Sequence, residues 1–140
     1  MRKLLTIALV FTLLLMIAIT TVKAVSGATI VDDIYALGKK YGFTQADRLR
    51  GERYVADNPI TDEQAEAIYA KALEAVKILE DAGAKNVKKL DKELNAEQKV
   101  AFEAKCQEAA GLIGLTLVYK NGNVEVYKNG KKNRYIHIYR

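Results

Sequence analysis

The side chains that most often carry out catalysis or bind metals are scarce in this chain. It contains one histidine, His137, and one cysteine, Cys106, so it offers no pair of histidine ligands and no second histidine for a proton relay. No CxxC, GxSxG, GxGxxG or Walker phosphate-binding motif occurs. The carboxylates of the predicted helices have the spacing of solvated faces. We therefore expect a non-enzymatic protein with no cofactor and no metal site.

Tyrosines and cationic side chains are concentrated at the C-terminal end. Residues 114–140 carry a net charge of +5, whereas residues 61–113 carry −3. Tyrosine gives a large contact area at a small entropic cost, and a basic rim favours anionic partners. A simpler interpretation is that Tyr favours strands and Lys protects an exposed sheet edge. The candidate binding residues are Tyr127, Tyr135, His137, Tyr139, Lys131, Lys132 and Arg134.

A repeated pentapeptide predicts the element that carries these residues. The sequence Val-Tyr-Lys-Asn-Gly at 118–122 recurs at 126–130, eight residues later. Asn-Gly between alternating apolar residues is the strongest short signal for a β-hairpin, because both residues tolerate positive φ. The pattern predicts a three-stranded antiparallel β-meander. Its strands are expected at 115–120, 123–128 and 134–139.

The alternation of apolar residues also predicts the register of the first two strands. A two-residue first turn would pair Leu117 with Val126 and Tyr119 with Val124, which gathers the apolar residues on one face of the sheet. The opposite, outer face would then carry the tyrosines and charged residues.

The second loop is predicted to contain an odd number of residues, 129–131 or 129–133. An odd loop would place Ile136 and Ile138 on the apolar face, and their burial favours that register. In the five-residue version, Tyr127 pairs with Tyr135 on the outer face.

Helical patterns fill the region before the strands. We expect helices at 28–41, from Thr44 towards Asn58-Pro59, from Thr61 to Gly83 and from Asn95 to about Gly111. A lysine-rich link, 84–94, should touch the core. Helices followed by strands predict an α+β fold in which three to four helices pack on the C-terminal three-stranded antiparallel meander.

The segment after Thr44 allows two interpretations. Its charges alternate along a thin apolar stripe of Ala46, Leu49 and Val55, as in a solvated connector. Alternatively, Arg50 and Arg53 share a helical face and form an arginine cluster for an anionic ligand.

Cys106 falls on the predicted buried stripe of the last helix, with Phe102, Ala109 and Ile113 at helical spacing. We interpret it as a small core residue rather than a reactive thiol. With one cysteine no internal disulfide can form, so packing must supply the stability.

The N-terminal stretch predicts export. Residues 4–22 are uncharged and mostly apolar, and Arg2 and Lys3 precede them. A positive start, an apolar run and small residues near Ala24 are typical of a secretory signal. The run is also close to the ~20 residues that span a bilayer, so a retained anchor is the alternative. In both cases the positive-inside rule leaves the rest of the chain outside the cytoplasm.

We divide the chain into three parts. Residues 1–24 are a signal peptide or transmembrane anchor, residues 25–60 a helical N-terminal segment, and residues 61–140 helices plus the meander. The last part forms the core of a single domain, for which the chain is long enough.

Together these features favour a small exported, non-catalytic protein of the cell envelope, secreted or anchored, that binds a partner through its Tyr/Lys-rich sheet. The partner would be a protein or an anionic envelope component, with the membrane contacted through residues 4–22 if they are uncleaved. Export removes the usual reason to expect nucleic acid as a partner. A secreted inhibitor of an enzyme, using the same sheet or the 129–133 loop, is the alternative, and an unrecognised hydrolase is a third.

Overall fold

The structure, a computed structural model, describes residues 24–120 and 123–132. Within these ranges the fold is α+β, as predicted, with helices followed by an antiparallel sheet of strand order β1-β2-β3. The helices are α1 (Ile30–Gly38), α2 (Gln45–Asp57), α3 (Asp62–Ala82), α4 (Leu90–Glu93) and α5 (Ala96–Gly111), with 3-10 turns at Lys39–Tyr41 and Val87–Lys89. The strands are β1 (Leu115–Lys120), β2 (Asn123–Lys128) and β3 (Lys131–Lys132).

The first described residues are already part of the packed domain. Val25 is buried against Ile30 and Ala65, and the Gly27 N–H donates to Asp62 Oδ1 at 2.9 Å. The predicted signal or anchor run, 4–22, lies outside the described residues. In the part of the chain that the structure describes, no helix is both long enough and apolar enough to cross a membrane.

Side-chain caps begin the three longest helices, and the sequence predicted all three starts. Each forms a capping box, in which two side chains satisfy backbone N–H groups that a helix start leaves unpaired. The capping pairs are Thr44 with Asp47, Thr61 with Gln64, and Asn95 with Gln98. Gly83, at φ +67°, ends α3 in the left-handed conformation that glycine favours.

Helix α2 differs from the expected connector. The predicted stripe is wrong at Leu49, which is 49% exposed, whereas Tyr54 is buried at 3%. Gly51 lies against α1, because a Cβ there would stand 3.1 Å from Val31 Cγ1. The missing side chain lets the two helices approach closely, so α2 is a complete, packed helix rather than a solvated link.

The first hairpin has the predicted register, with Leu117 opposite Val126 and Tyr119 opposite Val124. The inner face of the sheet packs on the helices: Leu115 and Val126 form a buried cluster with Tyr54 of α2. The sheet is therefore covered on the side that its apolar residues predicted.

The prediction of an odd second loop is wrong. Lys128 pairs with Lys131 and Tyr127 with Lys132, which leaves a two-residue turn. Asn129 and Gly130 have φ values of 52° and 77°, the left-handed conformations that close a tight two-residue hairpin. This local turn chemistry outweighs the argument from isoleucine burial. The expected pairing of Tyr127 with Tyr135 is excluded, because Lys132 holds that position.

Two further apolar clusters hold the helices together. One joins Tyr41, Leu79, Ala84 and Leu94, and Val87, Leu90 and Phe102 pack against it. The other surrounds Ala65, near the start of α3. The lysine-rich link 84–94 therefore contacts the core as expected, and α3 contributes to a different cluster at each end.

Candidate functional site

The outer face of the sheet is defined by the strand register. Glu125 pairs with Val118 and Tyr127 with both Thr116 and Lys132, so these residues project away from the helix-covered side. The apolar contacts of the sheet with the helices are made through the inner face. The outer face therefore presents polar and charged groups from all three strands.

Glu125 is the centre of this face. Its carboxylate accepts a hydrogen bond from the Tyr127 hydroxyl at 2.5 Å, and lies 3.8 Å from Lys120 Nζ and 3.6 Å from Lys132 Nζ. We call Lys120, Glu125, Tyr127 and Lys132 the outer cluster. With two lysines and one carboxylate it carries a net charge of +1.

Contacts within the outer cluster shift the pKa values of Glu125 and Tyr127 away from neutral pH. The hydrogen bond from Tyr127, helped by the two lysines, lowers the pKa of Glu125. The same bond to Glu125 raises the pKa of Tyr127. The carboxylate therefore stays ionised and the phenol protonated, a pairing suited to binding rather than to general acid–base catalysis near pH 7.

Two lysines of the second hairpin, one of them the predicted binding residue Lys131, lie on the other side of the sheet. Lys128 donates to Asn58 Oδ1 at 3.0 Å, and its Nζ lies 6.0 Å from the centre of the Tyr54 ring. Lys128 therefore anchors β2 to the end of α2. Lys131 pairs directly with Lys128, which places it on the same side by register, at the exposed tip of the hairpin.

Of the predicted binding residues, the structure brings Tyr127 and Lys132 together and sets Lys131 apart from them. The others lie outside the described residues, and their role stays a prediction: Arg134, Tyr135, His137 and Tyr139.

Of the predicted cluster of Arg50 and Arg53 on α2, Arg50 is engaged in an ion pair, as is the neighbouring Arg48, whereas Arg53 is exposed. Arg50 donates to Asp47 Oδ1 at 2.8 Å, while Arg48 Nε lies 2.8 Å from Asp32 and 3.2 Å from Glu52. Pairing with carboxylates of the same domain favours a structural role over the alternative of an anion-binding cluster.

Cys106 has the character of a structural residue. Burial raises the pKa of its thiol to about 12, and burial also raises the pKa of the neighbouring Tyr119. A reactive cysteine requires a lowered pKa, so the direction of this shift disfavours a reactive thiol. The residue itself is half-buried and lies beside the buried clusters rather than within one. Within residues 24–120 and 123–132, no group of three His, Cys, Asp or Glu residues is arranged to hold a metal ion.

Sequence reasoning missed a second feature, an apolar cavity of about 190 Å³ between α1, α2 and α3. Ile34 and Ile68 line it, and the helical spacing of apolar residues places each of them on the apolar face of its helix. Periodicity identifies an apolar face, but it carries no signal for the space left between three such faces.

Comparison with protein-family models, with curated proteins and with solved structures finds no significant match to this chain.

Proposed function

We propose that this protein is an exported, non-catalytic component of the cell envelope that binds a partner through the outer face of its sheet. The observation that carries the proposal is the outer cluster, in which Tyr127 is held by Glu125 between two lysines. A tyrosine fixed in this way loses little further entropy on binding, and its ring provides apolar contact area.

The charge of the outer cluster favours an acidic protein surface or an anionic envelope component as the partner. Glu125 offsets one of the two lysines, so a single anion has less to gain here than at an isolated lysine pair. A partner that meets the tyrosine and both lysines together would gain shape and charge complementarity.

Export is proposed from the apolar run at 4–22 and the cations before it. The burial of Val25 adds a constraint, because a cleavage after Ala24 would fall next to a packed core residue. Cleavage must then precede the docking of Val25. If the run is retained, the domain begins within about three residues of the membrane.

An enzyme inhibitor acting through the 129–133 loop is less well supported. The turn contains only Asn129 and Gly130, and Lys131 already pairs in β3. Such a short turn offers little chain for insertion into an active site.

A charge-reversal experiment tests the binding surface. Lys120→Glu with Lys132→Glu alters the outer cluster, while Lys77→Glu with Lys92→Glu makes the same change in net charge on exposed helical lysines. Each full-length variant is produced in the source cells, and bound proteins and envelope polymers are captured by cross-linking. We expect the first pair to lose the captured partner and the second pair to keep it.

Equal capture by both pairs, with unchanged thermal unfolding, would reject the sheet as the binding surface. Localisation is tested separately by fractionating the same cells. Carbonate-resistant membrane association indicates an anchor, and a mature N-terminus after Ala24 in the medium indicates a cleaved signal. An intact, uncleaved chain in the soluble cytosolic fraction would contradict export.

A further inference from the structure

The cavity between the helices is the second feature with the properties of a binding site. Its volume is about 190 Å³, it is partly open to solvent, and α1, α2 and α3 form its walls together with Ile113 after α5. Most of its apolar lining residues, among them Ile34, Val55 and Ile68, are only half-buried. Large apolar side chains around one concave space are thus still accessible to solvent, and a ligand that filled the space would bury them.

The shape and composition of the walls favour an aromatic ligand. Tyr35, Phe43 and Tyr54 line the cavity together with isoleucines and valines. Aromatic side chains bind another ring in offset or edge-to-face geometry, which adds to the gain from burial. These three aromatic residues belong to two helices and the loop between them, so they line more than one wall of the cavity. Arg48 already lies over the Tyr35 ring, at 5.9 Å from its centre.

The rim of the cavity is electrically balanced. Asp47 and Arg48 are its charged lining residues. Arg48 is paired with Asp32 and Glu52, and Asp47 with Arg50. A charged ligand would have to displace one of these partners or enter the apolar space without a counter-ion, and either is costly. The rim thus selects for an uncharged molecule.

The volume sets how much of a ligand the partly open cavity can enclose. It is somewhat larger than the ~150 Å³ of an engineered apolar cavity that binds benzene, and smaller than the ~300–1,000 Å³ of sites for drug-sized ligands. We propose that the cavity binds a neutral monocyclic aromatic compound, with at most a short alkyl substituent. This site is separate from the outer face of the sheet, because no residue of the outer cluster lines it.

Methyl NMR on the protein recovered from cells expressing the full chain tests the proposal. Toluene is supplied through the vapour phase, which fixes its free activity even when lipid is present. Ring currents should shift the methyl signals of Ile34, Ile68 and Ile113, which line the cavity, with single-site saturation. Ile78, on α3 but outside the lining, should not shift. Benzoate, which has the same ring and a charge, should bind at least about tenfold more weakly.

Two substitutions on α3 provide the matched comparison. Ile68→Phe fills the cavity, whereas Leu73→Phe adds the same ring at a position that is 41% exposed and outside the lining. We expect Ile68→Phe to weaken toluene binding by about tenfold or more and Leu73→Phe by less than about twofold. If the methyl signals of Ile68→Phe lose the chemical-shift dispersion of a folded protein, Val55→Phe is used in its place.

Three outcomes would overturn the proposal. The first is the absence of saturable methyl shifts up to the solubility of toluene. The second is an equal shift of Ile78, which indicates non-specific partitioning. The third is binding of benzoate as tight as that of toluene, which would contradict the neutral rim.

Discussion

The cavity and the outer cluster differ most in whether apolar or charged groups form the surface that a ligand would contact. In the cavity the walls are apolar, and the charges at the rim are paired with neighbours in the helices. In the outer cluster the charged groups themselves form the surface, with Glu125 shared between Lys120 and Lys132. The first site would gain affinity by excluding water, and the second by matching charge and shape.

Substitutions in charged surface groups and in apolar groups should therefore differ in their effect on the stability of the fold. Exposed ion pairs contribute about 0–1 kcal/mol each, so the outer cluster can change with little effect on folding. Apolar groups behind the sheet are part of the core, and changes there carry the full cost of lost packing. Substitutions on the two faces of one strand should therefore separate stability from binding.

The largest expected effect is a difference in the free energy of unfolding between substitutions at two residues of β1. Leu115 is 4% exposed and packs with Tyr54 and Val126 behind the sheet, so Leu115→Ala should lower the free energy of unfolding by about 2–5 kcal/mol. Val118, paired with Glu125 on the outer face, should lose less than about 1 kcal/mol on truncation to Ala. Urea unfolding of both variants measures the contrast. Equal losses would mean that the outer face is covered and is no free binding surface.

The next largest expected effect is the loss of stability when the open edge of β1 loses its side-chain hydrogen bonds. Gln107 of α5 accepts a hydrogen bond from the Leu117 N–H at 2.7 Å and donates to the Leu115 carbonyl at 3.2 Å. Its amide thus takes the place that another strand would occupy at this edge. Gln107→Ala should cost about 1–3 kcal/mol, because it leaves these partly buried backbone groups unpaired.

Loss of the Gln107 amide should also promote association through the edge, since unpaired strand edges recruit other strands. Light scattering against protein concentration measures this association, with the exposed Gln45→Ala on α2 as control. If the Gln107→Ala protein stays monomeric and as stable as the control, Gln107 does not protect the edge of β1 from pairing with other strands.

A further effect is absent at neutral pH and should appear only at high pH. Burial raises the Cys106 pKa from 9.0 to about 12, so the folded state holds this proton more tightly than the unfolded chain does. The contribution is complete below pH 9.0 and is lost as the pH rises from there towards about 12. Stability should fall with a slope of up to about 1.4 kcal/mol per pH unit from this group.

Cys106→Ala should show a shallower decline over the same pH window in urea unfolding. Both proteins carry Tyr119→Phe, because Cys106 contributes to the raised pKa of Tyr119. The other titratable groups are common to both proteins, so their contributions cancel in the difference. Parallel declines would show that the thiol is hydrated in the folded protein. The Cys106 thiol would then be as accessible to water as the half-buried Glu125–Tyr127 pair of the outer face.

The sequence predicted those features that depend on neighbouring residues. The capping boxes at Thr61 and Asn95 require two side chains three positions apart, and the register of the first hairpin follows from one turn and the alternation of β1 and β2. Tyr127 could be placed on the outer face for the same reason. In each case the deciding interaction lies within a few residues of chain.

Prediction was wrong where two effects competed or where distant elements met. At the second turn, the burial of Ile136 and Ile138 was weighed above the preference of Asn129-Gly130 for a two-residue turn, and the turn preference prevailed. The cavity depends on the spacing of three helices, which no local pattern reports. Tyr54 was missed because a weak stripe on α2 did not indicate which side of the helix the sheet would cover.

The smallest effect on stability, and the sharpest test of the outer cluster, is expected from Glu125→Gln. The matched control is Glu108→Gln, since Glu108 also lies between two lysines, at 3.5 Å from Lys71 and 3.3 Å from Lys105. The Glu125 side chain is 25% exposed and that of Glu108 47% exposed, so we expect the free energy of unfolding to change by less than about 1 kcal/mol for either variant. Both variants also gain the same formal charge.

The two variants should nevertheless differ in binding to vesicles that contain phosphatidylglycerol. Glu125→Gln leaves Lys120 and Lys132 unneutralised beside the Tyr127 ring, so vesicle binding should strengthen by about two- to tenfold at low salt and return to the parental level as salt screens the charges. Glu108→Gln should change it less, because Lys71 and Lys105 also lie 3.6 Å and 3.3 Å from Glu74 and stay paired with that carboxylate. Equal gains would show that net charge alone drives vesicle binding and that the outer cluster is not a specific binding surface.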